Sequence, residues 1–500
     1  MPKILFLLEG TSLEVRDGIT IQEAGRNAGL LLDAPCGGHG ICKKCKVRIR
    51  REENEEPQDV LSCQYRVYED LIVEHFEGEN KAAILTEGKK ALFSIRPIKN
   101  GAFHMAVDIG TTTVVVYMLH AGTGEIVGTK SRLNPQYPYG SDVISRIQKA
   151  VKGDFESMSR QIRKGIWEMI EELCRENKCN PFEMGTLSVV GNPAMQQLFL
   201  GIDLDNLIHP PFSAVLHEPQ IRKLEEIYPL CSETALLSIP DIAGFVGADT
   251  LGCVLSTDLW RKEERTLMID IGTNGEMVLG NKDGMVACST AAGPALEGGR
   301  ISCGMRGGPG AIDHVWLKEG KIECSVIGGG KAKGLCGSGL IDAVAVMLDL
   351  GILNKRGRIE KDYEEENEQR VFHLKKNIFL TQEDIREVQM AKGAIAAGIK
   401  LMIKEMDIEE KDVDHLILCG AFGTYMNPKS ASRIGLIPET LLAKVEAGGN
   451  GAGMGACMLA MDGKLFMKTG EIVSKIQPLE LSSIPVFQRT FAQEMTFKMN

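Results

Sequence analysis

Short runs in which apolar and polar residues alternate open the chain. Lys3 to Leu8 reads as a strand, Gly10 and Thr11 turn it, and Ser12 to Arg16 reads as the antiparallel return. Thr20 with Glu23 three residues on is a capping box, which predicts a short helix from Ile21 to Ala28 ended by Gly29. Beyond a loop rich in cysteine and glycine, Cys45 to Ile49 and Asp70 to His75 read as strands, and the acidic stretch Glu52 to Asp59 reads as a solvated loop. Residues 1–78 are therefore expected to form a small β-rich domain with one helix. Residues 79–103 mix charge, glycine and short apolar pieces without a sustained period, which predicts a flexible linker with one β segment.

From residue 105 the pattern changes to apolar strands, Gly/Thr turns and longer helices. Helical spacing covers 160–175 and 388–406, and Val344 to Leu353 ends a helix at Gly351. One segment recurs: Ala106-Val-Asp-Ile-Gly-Thr-Thr-Thr-Val-Val-Val returns as Met268-Ile-Asp-Ile-Gly-Thr-Asn-Gly-Glu-Met-Val. Two strand–turn–strand units with the same polar tip, a domain length apart, predict a duplicated α/β body over 104–500. Its lobes would span about 104–265 and 266–465 and face a cleft, with an irregular C-terminal tail.

Composition narrows the partners. With 57 Lys+Arg against 67 Asp+Glu the net charge is −10, which opposes the basic face that a nucleic-acid binder needs. No window approaches the roughly 18 apolar residues of a membrane span, and the run from Ile4 to Leu8 stops at Glu9 with no cleavage pattern behind it. A soluble cytoplasmic protein is expected. Fourteen cysteines in 500 residues are too sparse for a disulfide scaffold, and only Cys36, Cys42, Cys45 and Cys63 form a spaced group.

That group reads C-x5-C-x2-C-x17-C. Three thiolates on one loop and a fourth from a later segment match the plant-type [2Fe–2S] spacing, with one extra loop residue. Gly37, Gly38 and Gly40 would let the backbone wrap closely and aim N–H groups at an anionic cluster. Zinc also takes four thiolates, but its sites normally present two C-x2-C knuckles, and Cys63 has no near neighbour of that kind. The cysteines at 288, 303, 324 and 336 form no such pairs and are expected to be core or loop thiols.

A strand that ends in Asp and turns through Gly-Thr brings a carboxylate and a row of N–H groups to one tip, which suits a phosphate with its hydrated magnesium ion. One copy is a common structural turn. Two copies, Asp108 with Gly110, Thr111, Thr112 and Thr113, and Asp270 with Gly272, Thr273, Asn274 and Gly275, could clamp a polyphosphate from both sides. A third element, the strand Leu416 to Cys419 running into Gly420-Ala421-Phe422-Gly423, would let a base and ribose approach the backbone. Cys336-Gly-Ser-Gly339 opens a helix and reads either as an anion-binding N-terminus or, by preference, as close packing. No G-x-x-x-x-G-K-[ST] sequence is present.

With AVDIGTTT at 106–113, NPQYPYGSDVISRI at 134–147, VVGNPAM at 189–195, MIDIGTNGE at 268–276, AAGPALEGGRISCGMRGGPGAID at 291–313 and CGAFG at 419–423 behind the cysteine loop, the chain resembles the reductive activators of corrinoid proteins over nearly its whole length. The resemblance implies an α/β fold: a small β-grasp ferredoxin-like domain joined to an actin-like, ribonuclease H-like ATPase body of the acetate and sugar kinase superfamily. In that family the cluster domain passes one electron to Co(II) of an inactivated corrinoid, or cobalamin-binding, protein. This restores the Co(I) nucleophile of a methyltransferase system, driven by ATP. The resemblance makes Cys36, Cys42, Cys45 and Cys63 the cluster ligands, Asp108 to Thr113 and Asp270 to Gly275 the phosphate motifs, and Gly420 to Gly423 the adenosine motif. It implies a [2Fe–2S] cluster and ATP with Mg2+ as cofactors, a corrinoid protein and a low-potential electron donor as partners, and it allows a homodimer. Longer members carry a further domain before the first Asp-Gly-Thr strand, where this chain has only its linker. Alternatives are an ATP-driven electron donor to another low-potential metalloenzyme, or a nucleotide-regulated redox-sensing scaffold.

Overall fold

The computed structural model describes residues 1–7, 10–28, 30, 40, 45–52, 55–75, 86–88, 90, 92–210, 212–360, 364–366 and 369–498. The chain divides into two units, Met1–Asn80 with Leu133–Gly165, and Lys81–Arg132 with Ile166–Asn500.

In the first unit, alternation builds a five-stranded sheet in the order Thr11–Glu14, Lys3–Phe6, Leu71–His75, Lys46–Arg50, Gln58–Leu61. Lys3–Phe6 and Leu71–His75 run parallel, and their other pairings are antiparallel. Every second residue of the inner strands, Ile4 and Phe6, Val47 and Ile49, Leu71 and Val73, is buried in a single core that the helix Ile21–Asn27 joins through Ile21 and Ala24. Each large side chain buried in this way contributes about 1.5–3 kcal/mol. The capping box is formed as the sequence implies: Glu23 N–H donates to Thr20 Oγ1 at 3.1 Å and Thr20 N–H to Glu23 Oε2 at 3.1 Å. The acidic loop is shorter than expected. Gln58–Leu61 is an edge strand on Lys46–Arg50, and Asp59 is held there by Lys46 at 3.1 Å and Arg48 at 3.2 Å. Its charges suit an edge exposed to water, and they hid it from a reading of hydrophobic period.

The unit also takes in 133–165, which the sequence reading assigned to the body. Gln22 donates to the Pro138 carbonyl at 3.2 Å, and the Arg26 guanidinium lies 4.4 Å from the Tyr139 ring centre. Tyr139 is fixed in turn by Ser157 at 2.9 Å and Gln161 at 3.2 Å.

The second unit is built on two six-stranded sheets of like plan. In one, Phe103–Ile109 pairs antiparallel with Thr113–His120 on one side and parallel with Met184–Gly191 on the other. In the other, Thr266–Ile271 pairs antiparallel with Gly275–Asn281 and parallel with His415–Cys419. The repeated motif thus occupies the same place in both sheets. Between them lie the helices Ala248–Ser256 and Gly451–Met461, whose side chains share one core with Val115, Tyr117, Met268 and Val278 from the sheets. The two helices touch backbone to backbone: a Cβ on Gly455 would sit 2.2 Å from the Gly252 carbonyl oxygen. The helix Gln382–Glu405 packs into a second core with Ile269, Met277 and Leu418 of the second sheet.

Two expectations fail here. The linker is not free along its described length: Asn450 N–H donates to the Glu87 carbonyl at 2.8 Å, Arg96 N–H to Met461 at 2.8 Å, and Gly463 N–H to Arg96 at 2.9 Å. These are backbone bonds, which leave no mark on side-chain pattern. Nor is the tail irregular. Gly463–Ser474 is a helix, Ile476–Pro478 adds a parallel strand to Gly284–Thr290, and Phe487–Glu494 is a helix whose Glu494 pairs with Lys400 at 2.6 Å. Each piece is too short to announce itself by periodicity and is stabilised by docking. Among the described residues no helix is long and apolar enough to cross a membrane.

Candidate functional site

Because the two Asp-Gly-Thr strands are equivalent in like sheets, their tips converge on one cleft of about 500 Å3. Asp108, Gly110, Thr111, Thr112 and Thr113 line it from one sheet, and Asp270, Gly272, Thr273 and Asn274 from the other. Gly275 instead lies inside the hairpin, where a Cβ would meet Thr290 Oγ1 at 2.9 Å. Of the third element, Gly420 and Phe422 reach the cleft. Gly420 has φ +78°, and a Cβ there would lie 2.5 Å from Asp270 Oδ1, so only glycine fits. Gly423 packs on Leu418, and the Ala421 side chain lies outside the described ones. At the Cys336 turn the packing reading holds for Gly337, since a Cβ would fall 1.8 Å from the Leu296 carbonyl, although Cys336, Gly337 and Ser338 also line the cleft.

Several groups that place the turns were not found from the sequence. Asn192 caps the helix Pro193–Leu200 by accepting the Met195 N–H at 3.1 Å, which fixes its amide orientation and leaves Nδ2 to donate to Thr111 Oγ1 at 3.0 Å. Asn450 accepts the Gly453 N–H at 2.8 Å, so its Nδ2 donates to Asp108 Oδ2 and to the Tyr117 hydroxyl, each at 3.0 Å. Glu297 Oε2 accepts from Thr112 and from Thr273, each at 3.0 Å, joining the two turns. Arg306 adds a guanidinium to the lining. Asn450, Glu297 and Arg306 sit among glycines, and Asn192 follows Gly191.

The floor of the cleft is acidic. Burial pushes the Asp108 carboxyl up to about 7, with the Asp270 charge adding to the rise and the Asn450 hydrogen bond opposing it. Burial likewise takes Asp270 up to about 6 and Asp249, at the start of the helix Ala248–Ser256, up to about 7. Glu276 is held well above the usual carboxylate range by burial and by the Asp249 and Asp270 charges. Such a group of reluctant anions calls for a cation. Among the described residues no three His, Cys, Asp or Glu side chains converge as a direct cage. A magnesium ion, which keeps several of its waters and needs only one or two carboxylates beside phosphate oxygens, fits this donor set.

In the first unit the buried Cys45 and Cys63 bring their sulfurs to 3.2 Å, well beyond the roughly 2.05 Å of a disulfide. Ser62 N–H donates to the Cys45 carbonyl at 2.8 Å and pins the two segments together. Gln64 Nε2 lies 3.6 Å from Cys63 Sγ, and Gly40, at φ +74°, packs on the Gln64 side chain. Two cysteine sulfurs drawn together, one from just before Lys46–Arg50 and one from the turn after Gln58–Leu61, fit a shared metal group. Cys36, Cys42, Gly37, Gly38 and His39 lie outside the described residues.

Family models match most of the chain. Residues 7–68 match the 2Fe-2S iron-sulfur cluster binding domain, 103–262 the RACo middle region, and 264–500 the C-terminal domain of RACo, the ASKHA domain. The corrinoid activation enzyme RamQ of Eubacterium limosum is 30% identical across 100% of this chain and 99% of its own. The [Co(II) methylated amine-specific corrinoid protein] reductase of Methanosarcina barkeri is 27% identical over 67% of this chain and 66% of its own. The solved structure of a reductive activator for corrinoid, iron-sulfur protein superposes with a TM-score of 0.74 at 28% identity, covering 99% of this chain and 98% of that one. With a full-length relative at this identity and all three of its regions matched, the chain belongs to the family of reductive activators of corrinoid proteins.

Proposed function

We propose that this chain is an ATP-dependent reductive activator, which takes an electron from a low-potential donor and delivers it to Co(II) of an inactivated corrinoid protein, regenerating Co(I) for methyl transfer. The observation that carries the reading is the convergence of two like Asp-Gly-Thr turns on one acidic cleft in a chain that also bears a 2Fe–2S binding domain. In this reading residues 1–78 are the electron-carrying domain, 79–103 the linker and 104–500 the ATPase body. Cys36, Cys42, Cys45 and Cys63 hold the [2Fe–2S] group, which supplies a one-electron store at about −400 mV. Asp108 and Asp270 hold hydrated Mg2+. The N–H groups at Thr111 and Thr273 take phosphate oxygens in the turns that Gly110 and Gly272 shape, and Gly420 with Phe422 receives the adenosine.

The nucleotide matters because of the size of the gap. Each 100 mV that an electron is moved uphill costs about 2.3 kcal/mol, a sum that a nucleotide cycle can supply if ATP binds one state of the complex more tightly than the other. The test is an anaerobic titration with a Co(II) corrinoid protein and a low-potential donor, following Co(I) absorption. Co(I) is expected only when ATP is present. Equal Co(I) formation with and without ATP would refute the coupling.

A further inference from the structure

Asn192 and Glu297 sort the threonine hydroxyls of the cleft into two kinds. Asn192 Nδ2 donates to Thr111 Oγ1, so the Thr111 oxygen is occupied as an acceptor and its proton can serve a phosphate oxygen. Thr112 and Thr273 are the reverse: both protons are committed to the Glu297 carboxylate, and their oxygens, 3.4 Å apart, keep their lone pairs. Lone pairs repel phosphate oxygens. They suit a cation or its bound waters. We propose that Glu297 is a positioning residue that turns the Thr112 and Thr273 oxygens toward the divalent cation of a bound nucleotide. The inference rests on the nucleotide reading of the cleft and assigns its cation side.

The test separates cation from nucleotide. ADP affinity is measured by calorimetry with Mg2+ and again with chelator. In the native protein Mg2+ should tighten ADP. In Glu297→Ala that gain should shrink by about tenfold while the chelated affinity stays near the native value, with Glu297→Gln recovering part because its amide oxygen still accepts. Thr273→Val, which keeps the shape and removes the oxygen, should show the same cation-selective loss and serves if Glu297→Ala proves unstable. An equal loss in both arms, or an undiminished Mg2+ gain, would overturn the assignment. If the native protein binds ADP in neither arm, the nucleotide reading itself fails and takes this one with it.

A second, independent observation concerns the linker. Asn450 touches the phosphate turn through Asp108 and the linker through its own N–H on the Glu87 carbonyl at 2.8 Å. Next to it Gly88 and Gly449 pair as an antiparallel bridge so close that a Cβ on Gly449 would lie 2.3 Å from Gly88 Cα. We infer that this contact reports the state of the nucleotide cleft to the chain segment leading from the cluster-binding domain. Hydrogen exchange with and without Mg·ADP tests it. Peptides over 84–92 and 445–455 should change protection together with 106–115, and Gly88→Val should abolish the change at 84–92 while 106–115 still responds. A native linker that ignores Mg·ADP while 106–115 responds would overturn the inference. No response in any peptide would overturn the nucleotide reading.

Discussion

Replacing Cys45 with alanine is expected to abolish the visible absorption of the iron–sulfur group and with it ATP-dependent Co(I) formation, while ADP binding stays near the native level. The side chain is buried, its sulfur lies 3.2 Å from Cys63, and it immediately precedes the strand Lys46–Arg50 that the sheet fixes on both sides. Its place is set by the backbone pairing of the following strand on both sides and by the Ser62 N–H bond to the Cys45 carbonyl. Cys63→Ala should behave in the same way. Cys303 and Cys324 provide the control: they are only partly buried and belong to the other unit, so alanine at either should leave the absorption intact. Nucleotide binding should survive all four changes, since the lining of the cleft belongs wholly to the second unit. Optical and EPR spectra of the reconstituted variants decide the matter. A full spectrum in Cys45→Ala would remove that residue from the ligand set.

What could be read from the sequence was the part that has a local signature. The Thr20–Glu23 box needs only four residues to declare itself, and the strands that carry Asp108 and Asp270 were visible because the same string occurs twice. The partners of those aspartates were not, since nothing around Asn450 says that its amide will meet a carboxylate 342 positions away. Glu297 is a comparable case: it bonds to threonines 185 and 24 positions earlier in the chain, and its own surroundings are glycines. The linker's attachment was hidden largely because it runs through backbone N–H and C=O groups, which every residue but proline carries, with Ser94 N–H on the Asp462 carboxylate and Lys99 on Glu233 adding side-chain contacts. The paired turns therefore named the cleft, whereas the side chains that orient it emerged only from the fold.

The other large effect is expected at the paired aspartates, where function and stability should move in opposite directions. Asp108→Asn keeps an acceptor for Asn450 but removes a charge that would face the cation, so Mg2+ affinity and ATP hydrolysis should fall by about 10–100-fold, as should those of Asp270→Asn. Both carboxyls are raised in the folded protein, to about 7 and about 6, chiefly by burial. The folded state thus holds protons that the unfolded chain, titrating near the ordinary 3.8, has already lost. Without cation, stability contributed at these positions is whole below about pH 4 and is lost as pH rises through 6 and 7. Asparagine has no proton to lose. At pH 8 without Mg2+ each variant should therefore melt a few degrees higher than the native protein, and the difference should vanish near pH 4. Calorimetric melting at the two pH values and phosphate release with Mg·ATP check the two halves separately. Raised melting with undiminished hydrolysis in both variants would mean that the acidic floor is real but that the two turns do not hold the nucleotide's cation.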